Sequence, residues 1–348
     1  MTDVSLEHPA APILPGLAAS LVGTAWEGST LSPLPDSGLA HHHVALVDST
    51  PPALARIPKQ SQLRLDTRKN LAYQTACFER SAPSGHTPRL FATLEPGGAV
   101  TRGALIVEHV DGRAAQLPGD LSEIVRALAS IHSLPIPAER QPIMSPADPL
   151  ADLVKEIATQ AEYLDQAELN PDARALIELE MARLATLVDR PARPSVTLIS
   201  FDAHPGNFLV RADGSAVLVD LEKGRYSYPA LDIAHATLYT STTWEQGATI
   251  ALSPAQVREA YELWGSLTGI ADAEQWHVPL RRAMWLWSAT WCAKWRVLSG
   301  AAPSASVDGE DWAAANSADV LARHVRGRVD HYLSTETVAR MTTEFDAL

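Results

Sequence analysis

The pattern of apolar and polar positions changes near residue 120. Before this point, short apolar runs are separated by Pro, Gly, Asp and Ser, which is typical of strands joined by turns. These runs lie at residues 43–47, 53–57, 89–94 and 103–109. A helical stretch at residues 71–80 lies among them. The pattern therefore predicts a small sheet with one inserted helix.

After this point the apolar positions recur every three to four residues, as they do on one face of a helix. Helices are predicted at residues 121–132, 150–169, 171–189, 255–268, 273–299, 308–326 and 328–345. Two short apolar runs, at residues 196–201 and 216–221, interrupt the helices around a polar loop. The chain is therefore expected to be of the α+β class, with a small mixed lobe followed by a larger helical lobe.

Charge narrows the range of partners. The chain has 348 residues, with 28 Lys and Arg against 41 Asp and Glu, which gives a net charge of −13 with His neutral. Such a field repels phosphate backbones and anionic lipids, so we expect no nucleic-acid and no membrane partner, and a cationic small molecule is favoured. The N-terminal stretch lacks a secretory pattern and no apolar run is long enough to span a membrane, which predicts a cytoplasmic protein.

The polar loop contains the clearest chemical pattern of the chain. Residues 198–210 read LISFDAHPGNFLV and residues 216–224 read AVLVDLEKG. Asp202 is followed five residues later by Asn207, and Asp220 ends the next apolar run. A carboxylate that accepts a hydroxyl proton, with an Asn and a second carboxylate as oxygen ligands for Mg²⁺, is the arrangement that phosphoryl transfer uses. Taken singly these are common turn residues, but their joint pattern favours a kinase-type site.

The same segment resembles a known family. Residues 200–207 (SFDAHPGN) are similar to the HGDxHPGN loop of the aminoglycoside phosphotransferase family, which is related to macrolide, choline/ethanolamine and homoserine kinases. Further similarities follow in order within residues 36–239, at residues 103–112 (GALIVEHVDG), 128–135 (LASIHSLP), 219–222 (VDLE) and 229–234 (PALDIA).

The resemblance implies a protein-kinase-like bilobal fold. The N-terminal lobe, residues 1–110, would hold an antiparallel sheet and bind the nucleotide, with a hinge at about residues 106–113. The helical C-terminal lobe, residues 111–348, would hold the catalytic loop and the substrate pocket. In that lobe Asp202 would be the catalytic base, Asn207 and Asp220 would bind the metal, and Asp232 would accept backbone donors of the loop.

In the N-terminal lobe the resemblance assigns four residues to nucleotide binding. Arg56 matches the base that contacts the phosphates, although Lys59, three residues later, competes for this role. Glu79 would be the ion-pair partner of Arg56. The hinge backbone near Glu108 and Val110 would face the adenine edge.

The sequence departs from the family pattern at the catalytic loop and elsewhere. Ser200 and Phe201 replace the usual His-Gly pair, and the expected glycine-rich phosphate loop, residues 36–40, has a single glycine. Glu222 and Lys223 are interpreted either as a solvated pair or as substrate contacts. On the helix predicted at residues 273–299, tryptophans at 287, 291 and 295 share one face, which is interpreted either as core packing or as a surface for a quaternary ammonium group.

The sequence therefore predicts an enzyme that uses ATP, or GTP, with Mg²⁺ to phosphorylate a hydroxyl of a small molecule resembling an aminoglycoside or an amino alcohol. The alternative is a nucleotide-binding pseudokinase with a regulatory or scaffold role, which the departures at Ser200 and Phe201 motivate. The sequence does not indicate an oligomeric state.

Overall fold

The computed structural model describes residues 8–36, 38–98 and 100–348. Predictions made on Ser37 in the phosphate loop and on residues 1–7 lie outside the described residues. The chain forms two compact units. The first comprises Met1–Ala82, Pro88–Asp111 and Leu298–Val325, and the second comprises Pro83–Thr87, Gly112–Val297 and Arg326–Leu348.

The first unit contains a five-stranded antiparallel sheet in the order β1-β2-β3-β5-β4. Its elements are α1 (Leu14–Ser20), β1 (Thr30–Pro33), β2 (His41–Val47), β3 (Ala53–Pro58), α2 (Thr67–Ser81), β4 (Leu90–Leu94) and β5 (Ala104–Glu108). The apolar side chains of β2, β3 and β5 form a core with α1, in which Leu17, Val44, Ala55 and Ile106 are fully buried. The predicted sheet with one inserted helix is therefore present, and α1 and β1 are added to it.

The second unit is mainly helical and has three short antiparallel strand pairs, β6 with β8, β8 with β9 and β7 with β10. Its elements are β6 (Arg113–Ala114), α3 (Leu121–His132), α4 (Pro149–Ala161), α5 (Pro171–Leu187), β7 (Thr197–Ile199), β8 (Phe208–Val210), β9 (Ala216–Leu218), β10 (Arg225–Ser227), α6 (Ala230–Thr237), α7 (Tyr239–Thr242), α8 (Pro254–Thr268), α9 (His277–Leu298), α10 (Asp319–Tyr332) and α11 (Thr335–Ala347). Helix α10 begins in the first unit and ends in the second. The sheet-bearing unit and this helical unit confirm the predicted α+β class.

Capping residues set the starts of the main helices. Asp148, Asn170 and Ser253 each accept backbone N–H groups of the first turn of α4, α5 and α8, and a proline follows each of them. A proline is suited to the first helical position because its nitrogen has no hydrogen to leave unpaired. At the other end of α8, Gly269 has a φ of 68°, which a glycine adopts without steric cost.

Several predicted helix boundaries are wrong. Residues 328–332, predicted as the start of the last helix, belong to α10, and α11 begins only at Thr335. The helix predicted at residues 150–169 ends at Ala161, and the one predicted at residues 308–326 begins only at Asp319. The segment before Asp319 belongs to the first unit, where Ala318 N–H donates to Asp36 and Gly309 N–H donates to the Leu65 carbonyl. These long-range contacts leave no periodic trace in the sequence. Within the described residues, no helix is both long enough and apolar enough to cross a membrane.

Candidate active site

The loop between β7 and β8, which contains Asp202, is fixed by one buried carboxylate. Asp232, on α6, is fully buried and accepts two backbone hydrogen bonds. Ser200 N–H donates to its Oδ2 at 2.7 Å, and Phe201 N–H donates to its Oδ1 at 2.8 Å. These two hydrogen bonds fix the loop backbone at Ser200 and Phe201. The predicted role of Asp232 as the acceptor of loop donors is confirmed.

A third donor holds Asp232 itself. His132, at the end of α3, places its Nε2 3.2 Å from Asp232 Oδ2. The indole Nε1–H of Trp264, on α8, donates to His132 Nδ1 at 2.9 Å. Since Nδ1 accepts this hydrogen bond, the ring proton lies on Nε2, which donates to Asp232. Sequence reasoning did not find Trp264, because its partner is 132 residues away in the chain.

Phe201 occupies the position where the resemblance predicts glycine. Its φ is 57°, in the left-handed region that disfavours residues with a Cβ atom. The ring is contacted on two sides. The Arg225 guanidinium carbon lies 3.7 Å from the ring centroid, and the Trp287 ring meets it edge-on at 5.1 Å between centroids. Cation–π attraction and ring packing therefore offset the cost of the backbone conformation.

Glu156, on α4, connects the two neighbours of Phe201. Its Oε2 accepts a hydrogen bond from Arg225 at 2.8 Å, and its Oε1 accepts one from the Trp287 indole at 2.7 Å. Burial raises the pKa of the Glu156 carboxyl, but the Arg225 charge and these hydrogen bonds outweigh burial and hold the pKa below its ordinary value. Sequence reasoning missed Glu156 and Arg225. The only available signal was the position of Arg225, directly after the second polar motif.

Asp202 itself is buried and ionised. Its side chain is 12% exposed, and its Oδ2 lies 2.9 Å from Lys223 Nζ. Burial raises the pKa of Asp202, but the Lys223 charge, with smaller contributions from His204 and His235, outweighs burial, so the pKa lies below its ordinary value. Burial lowers the pKa of Lys223, but the carboxylates of Asp202 and Glu222 outweigh it and raise that pKa. Both groups therefore carry their charges at neutral pH.

Asn207 and Asp220 lie at the same end of the β8–β9 hairpin. Asn207 precedes β8, and its side-chain amide donates to the Asp202 carbonyl at 2.8 Å. Val219 N–H donates to the Asn207 carbonyl at 2.9 Å, which places Asp220 next to this bond in the chain. Since the Asn207 amide nitrogen is engaged with Asp202, its oxygen remains for a cation. An amide oxygen and a carboxylate are the hard ligands that Mg²⁺ prefers, so this pair fits the ion.

In the first unit, Arg56 lies in the middle of β3 and is buried. Its guanidinium contacts His41 Nδ1 at 3.3 Å and His43 Nε2 at 3.4 Å, and it lies 5.7 Å from the centroid of the Phe78 ring. His41 and His43 thus share one face of β2, because alternate residues of a strand point the same way.

Lys59, the competing base, is engaged elsewhere in the first unit. Its ammonium donates to Asp36 Oδ1 at 2.5 Å and to the Gly38 carbonyl at 2.8 Å. Burial lowers the pKa of Lys59, and Asp36 only partly opposes this. Lys59 therefore contacts Asp36 and Gly38 of the segment predicted as the phosphate loop, and the choice between Arg56 and Lys59 as the phosphate contact stays a prediction.

The three other residues predicted for nucleotide binding also lie in the first unit. Glu79 is exposed on α2, while the preceding Phe78 is the residue that meets Arg56, so the Arg56–Glu79 ion pair stays a prediction. Glu108 ends β5, and its N–H donates to the Arg89 carbonyl at 2.8 Å. Val110 is buried two residues later.

The tryptophans of α9 serve different purposes. Trp295 is buried in the core. Trp287 is also buried but contacts the Asp202 site, because Lys223 Nζ lies 5.2 Å from its ring centroid. Trp291 is half-buried and meets the half-buried Trp244 edge-on at 5.9 Å. The stripe is thus core packing at one end and part of the site at the other.

Comparison with known proteins identifies the family. The profile of the phosphotransferase enzyme family matches residues 32–275 of the chain. The chain belongs to this family. It is a small-molecule kinase, and the resemblance found in the sequence is confirmed. Among curated proteins, none matches the sequence.

Solved structures show the same fold at low identity. A choline/ethanolamine kinase family protein from Mesorhizobium loti has a TM-score of 0.59 and 15% identity, and the match covers 96% of this chain and 99% of that one. An aminoglycoside phosphotransferase from Alicyclobacillus acidocaldarius has a TM-score of 0.56 and 15% identity, and the match covers 97% of this chain and 98% of that one. A macrolide 2′-phosphotransferase from Brachybacterium faecium has a TM-score of 0.55 and 14% identity, and the match covers 82% of this chain and 91% of that one.

Proposed function

We propose that this kinase transfers the γ-phosphoryl group of ATP to a hydroxyl of a small molecule, with Asp202 as the base and Mg²⁺ held by Asn207 and Asp220. The observation that supports this most is the state of Asp202, whose buried carboxylate Lys223 keeps ionised and whose backbone carbonyl accepts a hydrogen bond from the Asn207 side chain. A binding module has no need of such a base. GTP is the alternative donor, and a cytoplasmic location stays a prediction.

In the proposed reaction the acceptor oxygen attacks the γ-phosphorus. An oxygen–phosphorus bond forms there, the bond from the γ-phosphorus to the β–γ bridging oxygen breaks, and the nucleoside diphosphate leaves. The hydroxyl proton passes to Asp202. Mg²⁺ would neutralise the charge on the phosphates, and the chain would mainly hold the reacting groups in line.

The nucleotide contacts belong to the first unit in this proposal. Arg56 would contact the phosphates, with Glu79 as its ion-pair partner, and the backbone near Glu108 and Val110 would face the adenine edge. The burial of Arg56 on β3, the strand that pairs with β5, supports this assignment, because β5 leads directly into the predicted hinge.

We propose an acceptor that carries an amino group, as aminoglycosides and amino alcohols do. The net charge of −13 favours a cation. Glu245, an exposed carboxylate, lies against Gly206 of the catalytic loop, and its Oε1 is 3.9 Å from His204 Nδ1. An ammonium group near the loop would find this carboxylate and the ring of the adjacent Trp244. The similar structures include a choline/ethanolamine kinase family protein and an aminoglycoside phosphotransferase, which supports this class.

A transfer assay tests the proposal. Wild-type protein with Mg²⁺ and labelled ATP is presented with aminoglycosides, amino alcohols, macrolides and sugars, and phosphorylated products are separated. Asp202→Asn should abolish turnover and spare nucleotide binding. Asp213→Asn is the matched control. Asp213 is an exposed aspartate in the turn between β8 and β9, and its replacement should leave turnover unchanged.

Two results would contradict the proposal. Near-full turnover of Asp202→Asn would exclude Asp202 as the base. Tight binding of Mg–ATP by the wild type without transfer to any acceptor would favour the pseudokinase alternative.

A further inference from the structure

The two carboxylate oxygens of Asp202 have different surroundings. Oδ2 is engaged by Lys223 at 2.9 Å. Oδ1 faces Nδ1 of His235, on α6, at 3.9 Å. This separation is too long for a direct hydrogen bond, which needs about 2.7–3.2 Å between nitrogen and oxygen.

His235 is a buried imidazole with an unused nitrogen. The residue is 7% exposed, and its Nδ1 has no hydrogen-bond partner among the described residues. Its ring meets that of His204 at 5.9 Å between centroids. Burial lowers the pKa of His235 to about 3, although Asp202 partly opposes this, so the ring is neutral at physiological pH. A buried polar atom without a partner destabilises a fold, and such atoms often mark functional positions.

A separation of 3.9 Å is short enough for one oxygen to bridge the two atoms. An oxygen placed about 2.8 Å from both Asp202 Oδ1 and His235 Nδ1 would be within hydrogen-bond distance of each. Such an oxygen would see one acceptor, the carboxylate, and one ring nitrogen that can carry a proton.

We propose that His235 Nδ1 and Asp202 Oδ1 together bind the acceptor hydroxyl, so that His235 is a catalytic residue in contact with the substrate. The inference rests on the proposed function, because it takes Asp202 as the base. The hydroxyl proton points to Asp202 Oδ1. One oxygen lone pair accepts the Nδ1–H of His235, and the other is left directed at the γ-phosphorus.

This arrangement explains why the ring is neutral. An alcohol oxygen has two lone pairs, and fixing one of them fixes the direction of the second, which supplies orientation before reaction. A neutral imidazole provides this hydrogen bond without placing a positive charge beside the attacking oxygen. Lys223 provides the charge, and it does so at the other carboxylate oxygen.

Variants at position 235 separate the ring nitrogen from the bulk of the ring. Asn places a polar atom at the same number of bonds from Cα as His Nδ1, whereas Gln extends its polar atoms one bond further. Leu fills the space without a polar atom. We expect His235→Leu and His235→Gln to lower turnover about 100-fold, which is typical of a misplaced reacting group. His235→Asn should stay within about 5-fold of the wild type, and ATP affinity should be unchanged in all three variants.

The probe is Mg–ATP hydrolysis, in which water takes the place of the acceptor hydroxyl, followed by transfer to any acceptor found in the assay above. His277→Leu is the matched control. His277 is another imidazole with an unpaired nitrogen in the same unit, but it stacks on Tyr261 at 4.2 Å and should be neutral for turnover. Equal losses in His235→Leu and His235→Asn would overturn the inference, as would wild-type turnover in His235→Leu.

A second measurement does not depend on activity. A high-resolution crystal structure of the wild type should show an ordered water within hydrogen-bond distance of both Asp202 Oδ1 and His235 Nδ1, and this water should be lost in His235→Leu. Absence of this water in the wild type overturns the inference. If the wild type shows the water and binds Mg–ATP but transfers no phosphoryl group, the proposed function fails while the binding position for an oxygen stands.

Discussion

Lys59 and Lys223 each form a buried ion pair with an aspartate, one in each unit of the molecule. Lys59 donates to Asp36 at 2.5 Å with a side chain 3% exposed, and Lys223 donates to Asp202 at 2.9 Å with a side chain 10% exposed. The two pairs are chemically alike, yet their pKa shifts have opposite signs. At Lys59 the effect of burial is the larger and lowers the pKa, whereas at Lys223 the effect of the carboxylates is the larger and raises it.

The difference comes from the surroundings of each pair. Among the described residues, Asp36 is the one carboxylate that raises the pKa of Lys59, while Glu222 and Asp220 add to the effect of Asp202 on the pKa of Lys223. Burial lowers the pKa of the ammonium in both places, but only at Lys223 do the carboxylates exceed this effect. The first pair connects Lys59 to the segment before β2 in the first unit, and the second keeps Asp202, the proposed base, ionised in a buried site.

Breaking the second pair should have the largest effect. Lys223→Met leaves Asp202 buried without its cation, so we expect turnover to fall by about 10²–10³. The sign of the pH effect follows from the pKa. Lys223 holds the pKa of Asp202 down, so its loss raises that pKa, and the acid limb of kcat/KM must move to higher pH. Profiles of kcat/KM against pH measure this shift.

Two further variants control this prediction. Lys223→Arg keeps the charge and should return the acid limb towards the wild-type position. Lys155→Met removes an exposed lysine of α4 and should leave the profile unchanged. An acid limb that stays in place in Lys223→Met would show that Lys223 does not set the charge state of Asp202.

The sequence predicts those parts of the site that are close together in the chain. Asp202 and Asn207 lie in the loop before β8, and Asp220 follows β9, the strand that pairs with β8, so their spacing alone indicates that they are neighbours. The open interpretation of Lys223, as a solvated or a site residue, needed its burial to be decided. Trp264, Glu156 and similar partners come from distant helices, and no local pattern marks them.

The fold shows the same limit. Helices with a clear apolar face and a capping residue, such as α4 and α8, begin where the sequence predicts. The segment before Asp319 contains the helix-favouring alanines 313–315, but its contacts within the first unit hold most of it as loop. Such contacts depend on residues some 240 or more positions away.

At alkaline pH, Lys59 and Lys223 should affect the stability of the protein in opposite directions. Because the pKa of Lys59 is lowered, the unfolded state binds more protons than the folded state below 10.5, and this lysine makes stability rise with pH in that window. Because the pKa of Lys223 is raised, this lysine makes stability fall as pH increases above 10.5. Each contribution has a slope of at most about 1.4 kcal/mol per pH unit.

Urea unfolding of Lys59→Met and Lys223→Met across the alkaline range measures these slopes. Relative to the wild type, Lys59→Met should become progressively less stable as pH rises towards 10.5, and Lys223→Met should recover stability above it. Lys155→Met supplies the behaviour of an exposed lysine. Parallel curves for Lys59→Met and Lys223→Met would contradict the assignment of opposite pKa shifts.

The smallest expected effect is the difference in stability between two variants of Phe201, whose ring packs on Trp287 beside the Lys223–Asp202 pair. Phe201→Gly and Phe201→Ala both lose the ring, at about 3–5 kcal/mol of stability. At a φ of 57°, however, only Ala keeps the cost of a Cβ atom in the left-handed region, so the Gly variant should be more stable than the Ala variant by about 1 kcal/mol.

Phe208 supplies the matched control for this order. It is an equally buried phenylalanine on β8, but its φ is −113°, where a Cβ atom is not penalised. There Phe208→Ala should be more stable than Phe208→Gly, because glycine loses more backbone freedom on folding. Urea unfolding of the four variants gives both differences. If Ala is more stable than Gly at position 201 as well as at position 208, the backbone at position 201 relaxes out of the left-handed region once the ring is gone. The contacts of the Phe201 ring with Arg225 and Trp287 would then be what holds the wild-type backbone in that region.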